Sequence, residues 1–299
     1  MVFRSIPAGV INILSGFGTP TGSHLTTHRY VRRIAFTGGV ESARHIVRNS
    51  AENLANISLE LGGKSAAVLF PDADLDNALN GIVGGIFGAS GQSCVAGSRL
   101  YVHKSIAETF IARLIERVGK VVVGDPLDAK SQMGPLATRR QLDLIGSTLA
   151  HSKQQGARVL AGGGRPAHLK NGWYFEPTIV KCLDNKTDVM MRELFGPVLA
   201  IGEFSTESEA IELANDSEYG LAFAVYTRDV GRAIRMSRAI DCGVVWVNTH
   251  RTIAPNVDFG GTKNSGYGRE GGLQAVYDYT QSKLVWMNTN EAPLPDPLQ

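Results

Sequence analysis

One cysteine, Cys94, stands in the stretch GASGQSCVAG (residues 88–97), among glycines and other small side chains. Nothing bulky surrounds it, so a substrate can approach its sulfur closely. A thiol attacks a carbonyl carbon as the thiolate, and at an ordinary pKa of about 8.5 only a small fraction is ionised at neutral pH. Bringing that pKa down to about 7 takes roughly 2 kcal/mol of environmental stabilisation. Alone, the window fits a packed core thiol as well as a nucleophile. A nucleophile also needs a base. Glu60 ends the apolar run ISLE just before Leu61, Gly62 and Gly63, at a strand C-terminus, where α/β sheets hold their ligands. A surface glutamate at a turn has the same local sequence. Cys182 follows TIVK and Cys242 precedes GVVWVN, so both read as small hydrophobes at strand edges.

Composition narrows the setting for such chemistry. The 299 residues suffice for one large or two medium domains, and 43% hydrophobic with 19% charged residues is a globular balance. The formal net charge is +2, without a basic run or face, so nothing favours nucleic acid. GIVGGIFGA is the longest apolar stretch and falls short of the roughly 20 residues of a membrane span. MVFRSIPAGV lacks the apolar core of a secretory signal. Three cysteines and seven histidines, scattered and without metal-binding spacing, give no disulfide framework and no metal site. A cytoplasmic protein is the expectation.

The elements that must position Cys94 and Glu60 alternate between strand and helix. GVINIL (9–14), RIAFTG (33–38) and ISLELGG (57–63) read as strands, with a helix after residue 39 that places Val40, Ala43, Ile46 and Val47 on one face. Alternation continues through SAAVLF, a helix capped by PDAD and ending near Gly88, LYVHKS, and further pairs up to GVVWVN. This pattern makes a parallel sheet with crossover helices. A helical GLQAVYDYT precedes a last apolar strand, QSKLVWMN, and EAPLPDPLQ is a proline-rich tail.

Four blocks, LELGGKS, GASGQSCVAGSR, ELFGPV and DFGGTKNSGYGRE, follow one another in the order and at the spacing of the NAD(P)-dependent aldehyde dehydrogenases, which this sequence resembles from about Pro7 to about Trp286. The resemblance implies an α/β fold: a partial Rossmann-type parallel sheet (1–63), a catalytic domain (64–250), a substrate loop returning to the cofactor domain (251–279), an oligomerisation strand (280–288) and a flexible tail (289–299). It implies that Cys94 attacks the aldehyde and that Glu60 activates the water that hydrolyses the thioester. Glu270 matches a second carboxylate that passes protons to that base, although an exposed helix-start glutamate is the alternative.

The same resemblance implies NAD or NADP as cofactor, held by Thr37, Gly38 and Gly39 at a strand-to-helix handover and by Leu61, Glu193 and Phe195. Backbone N–H groups at a helix start suit a pyrophosphate. The family usually has serine where Gly39 stands. Substrate contacts are implied for His250, Arg251 and Phe259, around the loop THRTIAPNVD (249–258). Arg251 points to an anionic or polar aldehyde, with a solvated arginine as the alternative. Relatives use the matching last strand to assemble, so a homodimer or homotetramer is expected. The family's N-terminal part has no counterpart here, so weak cofactor binding, or a folded module without turnover, is a further expectation. A cysteine hydrolase built on a histidine is a third reading, with His250 alone near a motif.

Overall fold

The computed structural model describes residues 6–289 and 291–298. Two sheets set the frame. In the small one, β1 (Arg33–Thr37) pairs in parallel with β2 (Asn56–Glu60), which pairs antiparallel on its other side with β12 (Gly266–Tyr267). The crossover between β1 and β2 is α2 (Val40–Ser50), which buries Ala43 with Leu59 and Leu61.

The large sheet has seven strands, in the order β10-β9-β3-β4-β7-β6-β5. These are β3 (Ala66–Leu69), β4 (Arg99–His103), β5 (Arg158–Ala161), β6 (Thr178–Lys181), β7 (Val198–Phe204), β9 (Ala222–Tyr226) and β10 (Val244–Val247). All neighbours run parallel except β5 and β6. Strands covered on both faces become continuous apolar runs, and β3 and β9 are buried at every position. The period of two sorts their side chains. Ala67 and Leu69 join one core with α3 (Leu75–Phe87) and α4 (Lys104–Gly119). Ala66 and Val68 join another with α5 (Arg139–Gln154), α7 (Glu207–Asn215) and α8 (Val230–Ala239).

The chain crosses between the sheets twice. It leaves β2 for β3 through residues 61–65. It returns after β10 through the short ladder of β11 (Thr262–Lys263) with β8 (Tyr219–Gly220), then β12 and α9 (Gly272–Asp278). Arg33 of β1 meets Asp278 at 2.9 Å and lies over the Tyr279 ring, which fastens this return to the small sheet.

Two expected strands are not strands. Residues 9–14 form no ladder, and Ile13 and Leu14 are 88% and 70% exposed. Residues 281–289 form none either, with Leu284 and Trp286 at 85% and 88%. Both have strand composition. A strand also needs a neighbour for its backbone N–H and C=O groups, and no described segment of this chain lies alongside either run. No described helix is long and apolar enough to cross a membrane.

Candidate active site

The turn from Glu60 to Ser65 is the meeting place of three distant segments. The Leu61 N–H donates to the Ser265 carbonyl oxygen at 3.0 Å, and the Ser265 hydroxyl donates to the Gly62 carbonyl oxygen at 2.7 Å. The Gly63 N–H donates to Glu193 Oε1 at 3.0 Å. Side chains have no room at its two glycines. A methyl group on Gly63 would sit 2.7 Å from the Cys94 carbonyl oxygen, and one on Gly62 would strike the Glu193 carboxylate. The paired glycines therefore let the cysteine loop and Glu193 pack directly on the end of β2.

Cys94 is delivered by a strained turn. After α3 ends at Phe87, Ala89 and Ser90 both take left-handed conformations, with φ of 54° and 55°. The surroundings hold them there: Ser90 Oγ donates to the Gly134 carbonyl oxygen at 2.9 Å, and Gln92 Oε1 accepts from the Ala137 N–H at 2.9 Å. Cys94 itself is half-buried between this turn and the buried Val95. Its thiol pKa lies above the usual value, raised by burial first and then by the Glu193 and Glu60 charges, against hydrogen bonds from the Val95 and Cys94 backbone. A lowered pKa, as the nucleophile argument asks for, is thus not supplied by these protein groups. The charges of Glu193 and Glu60 disfavour a further negative charge on the sulfur.

Glu60 is 4% exposed, and neither carboxylate oxygen has a hydrogen-bond partner among the described residues. Its pKa is raised to about 7, by burial first, then by the Glu270 charge, with Arg269 opposing. The backbone of the DFGG loop lies over it, so a methyl group on Gly260 would approach Glu60 Oε1 to 2.7 Å. Glu270 is exposed, and its backbone exchanges two hydrogen bonds of 2.7 Å with Phe259. Phe259 packs on the same core as Cys94. A carboxylate with a pKa near the working pH and open lone pairs is suited to take a proton from water.

The expected cofactor residues fall along one path. Gly38 donates to the Glu60 carbonyl oxygen at 3.1 Å, and Gly39 is the extended N-cap of α2 with no side-chain cap. No acceptor among the described residues meets the N–H groups of Val40, Glu41 and Ser42. Beside them Thr26, Ile34, Phe36 and His45 line a cleft of ≈ 600 Å³. Thr37 is exposed at the end of β1. Glu193 is half-buried and its pKa is raised by burial, with the Gly63 N–H and Lys64 opposing. Phe195 is 40% exposed in a left-handed conformation, φ 49°. Leu61 is buried, and its N–H is already bonded to Ser265. Open N–H donors at the start of an eleven-residue helix, beside a cleft of this size, fit a dinucleotide phosphate.

The sequence places His250 on a substrate wall. In the structure its ring is engaged with the loop that carries Cys94. Nε2 donates to the Val95 carbonyl oxygen at 3.1 Å, Trp246 packs at 4.9 Å between ring centroids, and methyl groups on Gly85 or Gly97 would lie 2.7 or 2.8 Å from the imidazole. Burial pushes its pKa down to about 4, so the ring is neutral at pH 7. Such a ring supports the loop, and its low pKa makes it a weak base. Arg251 is half-buried with its guanidinium against Gly88.

Sequence reasoning left out Ser265, Gly260 and Arg269, although all three stand in the DFGGTKNSGYGRE block. Their importance lies in what they touch across the chain. It also left out Lys64, whose Nζ is buried without a partner and whose pKa is lowered to about 7 by burial and then by Arg99. Its place next to two glycines at a strand start gave no sign of that burial.

The chain is similar to a set of known proteins. The model of the aldehyde dehydrogenase family matches residues 2–285. The (Z)-2-((N-methylformamido)methylene)-5-hydroxybutyrolactone dehydrogenase of Acinetobacter baylyi is 49% identical over 292 residues, covering 97% of this chain and 59% of that protein. The chloroplastic betaine aldehyde dehydrogenase of Atriplex hortensis is 39% identical over 288 residues, covering 96% and 57%. A crystal structure of a double variant of Staphylococcus aureus betaine aldehyde dehydrogenase in complex with NAD+ superposes with a TM-score of 0.95 at 40% identity, covering 98% of this chain and 59% of that one. The chain thus spans less than two thirds of the length of these relatives.

Proposed function

Because this chain belongs to the aldehyde dehydrogenase family, we propose that it carries the nucleophile and the general base of an aldehyde oxidation dependent on NAD(P)+. NAD+ is the favoured form, since the similar Staphylococcus aureus structure holds it. The observation that carries the reading is Glu60: a buried carboxylate without partners, its pKa raised to about 7, in the same electrostatic neighbourhood as the Cys94 thiol.

In this reading Cys94 Sγ, once deprotonated, attacks the aldehyde carbon to give a thiohemiacetal. The Cys94 backbone N–H is one donor for the alkoxide that forms. The bound cofactor supplies the hydride acceptor. The resulting thioester is then cleaved by a water whose proton passes to Glu60, and Glu270, exposed nearby, takes it onward to solvent. The open N–H groups at the start of α2, together with Thr37, Gly38, Gly39, Glu193 and Phe195, would hold the cofactor.

Rapid mixing of the chain with NAD+ and an aldehyde tests this. Glu60→Gln is expected to keep the first burst of NADH and to lose steady turnover by at least 100-fold, because only deacylation needs the base. Cys94→Ala is expected to lose both. Wild-type deacylation by Glu60→Gln sinks the assignment.

The exposed segment around Leu284, Val285 and Trp286 is assigned to pairing with a second copy, as a homodimer or homotetramer. A monodisperse monomer by light scattering, unchanged on deleting residues 281–299, would refute it.

A further inference from the structure

We propose that Arg251 receives a carboxylate on the aldehyde substrate, so that this site prefers carboxylated aldehydes to neutral ones and disfavours cationic ones. The inference rests on the aldehyde-oxidising reading above and names the substrate class of that same site.

Three observations carry it. First, Arg251 is a half-buried residue whose guanidinium has neither a hydrogen bond nor an ion pair among the described residues, although other half-buried arginines such as Arg33 and Arg232 meet carboxylates. A partly desolvated cation without a counter-charge is stabilised by an incoming anion. Second, its place is fixed. Arg251 holds a left-handed conformation, φ 60°, and its Nη1 lies 2.6 Å from where a methyl group on Gly88 would project. Gly88 opens the turn Gly88–Gly91 that leads the chain to Cys94, so the cation lies against the start of that turn. Third, the neighbouring His250 is bonded to the Val95 carbonyl oxygen, which ties the loop bearing Arg251 to the residue next to Cys94.

The planar guanidinium offers a carboxylate two parallel N–H donors, which a solvated lysine would not match. Betaine aldehyde, with its quaternary ammonium, would meet like charge here. The absence of a side chain at Gly88 is what leaves room for Arg251.

The test compares 4-oxobutanoate, butanal and 4-aminobutanal as substrates of the full chain with NAD+. Wild type is expected to give kcat/KM for 4-oxobutanoate at least tenfold above butanal, and 4-aminobutanal below butanal. Arg251→Gln should remove the preference mainly through KM, and Arg251→Lys should restore part of it. Gly88→Val, which fills the guanidinium's place and leaves residue 251 unaltered, should also reduce it. A second readout needs no turnover: glutarate should slow the iodoacetamide labelling of Cys94 in wild type and fail to do so in Arg251→Gln, while butyramide protects neither. If no aldehyde is oxidised, the functional reading fails and the labelling experiment still decides the role of Arg251. Equal kcat/KM for 4-oxobutanoate and butanal in wild type, or glutarate protection unchanged in a folded Arg251→Gln, overturns the inference.

Discussion

The Ser265 hydroxyl donates to the Gly62 carbonyl oxygen at 2.7 Å, joining two turns that lie 203 residues apart in the chain. Ser265 Oγ in turn accepts from the Gly220 N–H at 3.1 Å, and Ser265 is fully buried. One side chain thus latches the turn on which Cys94 and Glu193 pack. Ser265→Ala leaves a buried carbonyl and a buried N–H without their partner and is expected to cost about 1–3 kcal/mol. Urea melts would measure that loss. Because the latch holds the turn under Cys94, the alkylation rate of Cys94 should change as well.

The three thiols should separate kinetically. Burial raises the pKa of both Cys182 and Cys242 to about 11, and Cys182 is 5% exposed. Cys94, half-buried in a loop of small residues, should react with iodoacetamide at pH 8 well before either. Cys94→Ala should remove the fast phase. Cys182→Ala should leave it unchanged and cost about 1 kcal/mol of stability. Peptide mapping that finds all three labelled at one rate in the folded chain would rule out a distinct nucleophile.

Glu60 should leave a signature in stability. Its folded pKa is raised to about 7 from the ordinary carboxylate value of 4.5, so between these values the folded chain holds a proton that the unfolded chain has lost. Its contribution is therefore fully present below pH 4.5 and is lost as the pH rises through 7. Glu60→Gln stays neutral throughout. Relative to wild type it should gain up to about 3 kcal/mol between pH 4 and pH 8, read from denaturant melts at both pH values. A difference between the two proteins that stays flat across this range would show that the carboxylate titrates normally.

His250 should act in the opposite sense. Burial lowers its pKa to about 4 from 6.5, so the unfolded chain takes up a proton first as the medium is acidified. The stability contributed by the neutral ring is present above pH 6.5 and is lost as the pH falls through 4. His250→Phe removes this titration and also the hydrogen bond to Val95. It should be less stable than wild type at pH 8, and that deficit should shrink or reverse at pH 4. Parallel pH dependence of the two proteins would place the imidazole in water.

The chain order of most elements was legible in the sequence, and so was Cys94 as a candidate nucleophile, because both depend on local patterns. Apolar runs such as AAVL and AFAVY are what a strand buried on both faces requires, and the helical spacing of Val40, Ala43 and Val47 requires only the next turn. Cys94 among small residues, and Glu60 before two glycines, likewise stand out within a few positions. Composition did not decide whether residues 9–14 or 281–289 become strands, since that depends on a neighbour that local sequence does not contain.

The charge states and orientations around the site were decided only by the tertiary structure. Glu60 is raised to about 7 because the chain buries it and brings Glu270 near from the far end of the sequence. Cys94 is raised first because the fold half-buries it, and then because the Glu193 and Glu60 charges reach it from two other segments. His250 and Arg251 are adjacent in the sequence, yet one ring lies under the nucleophile loop and one guanidinium stands over Gly88. A pKa or a side-chain position depends on burial and on charges within a few ångströms, and in this chain those neighbours lie up to two hundred residues away in sequence. Residue types and their local order therefore specified the candidate groups, and the packing of the two sheets against one turn specified their protonation and what they face.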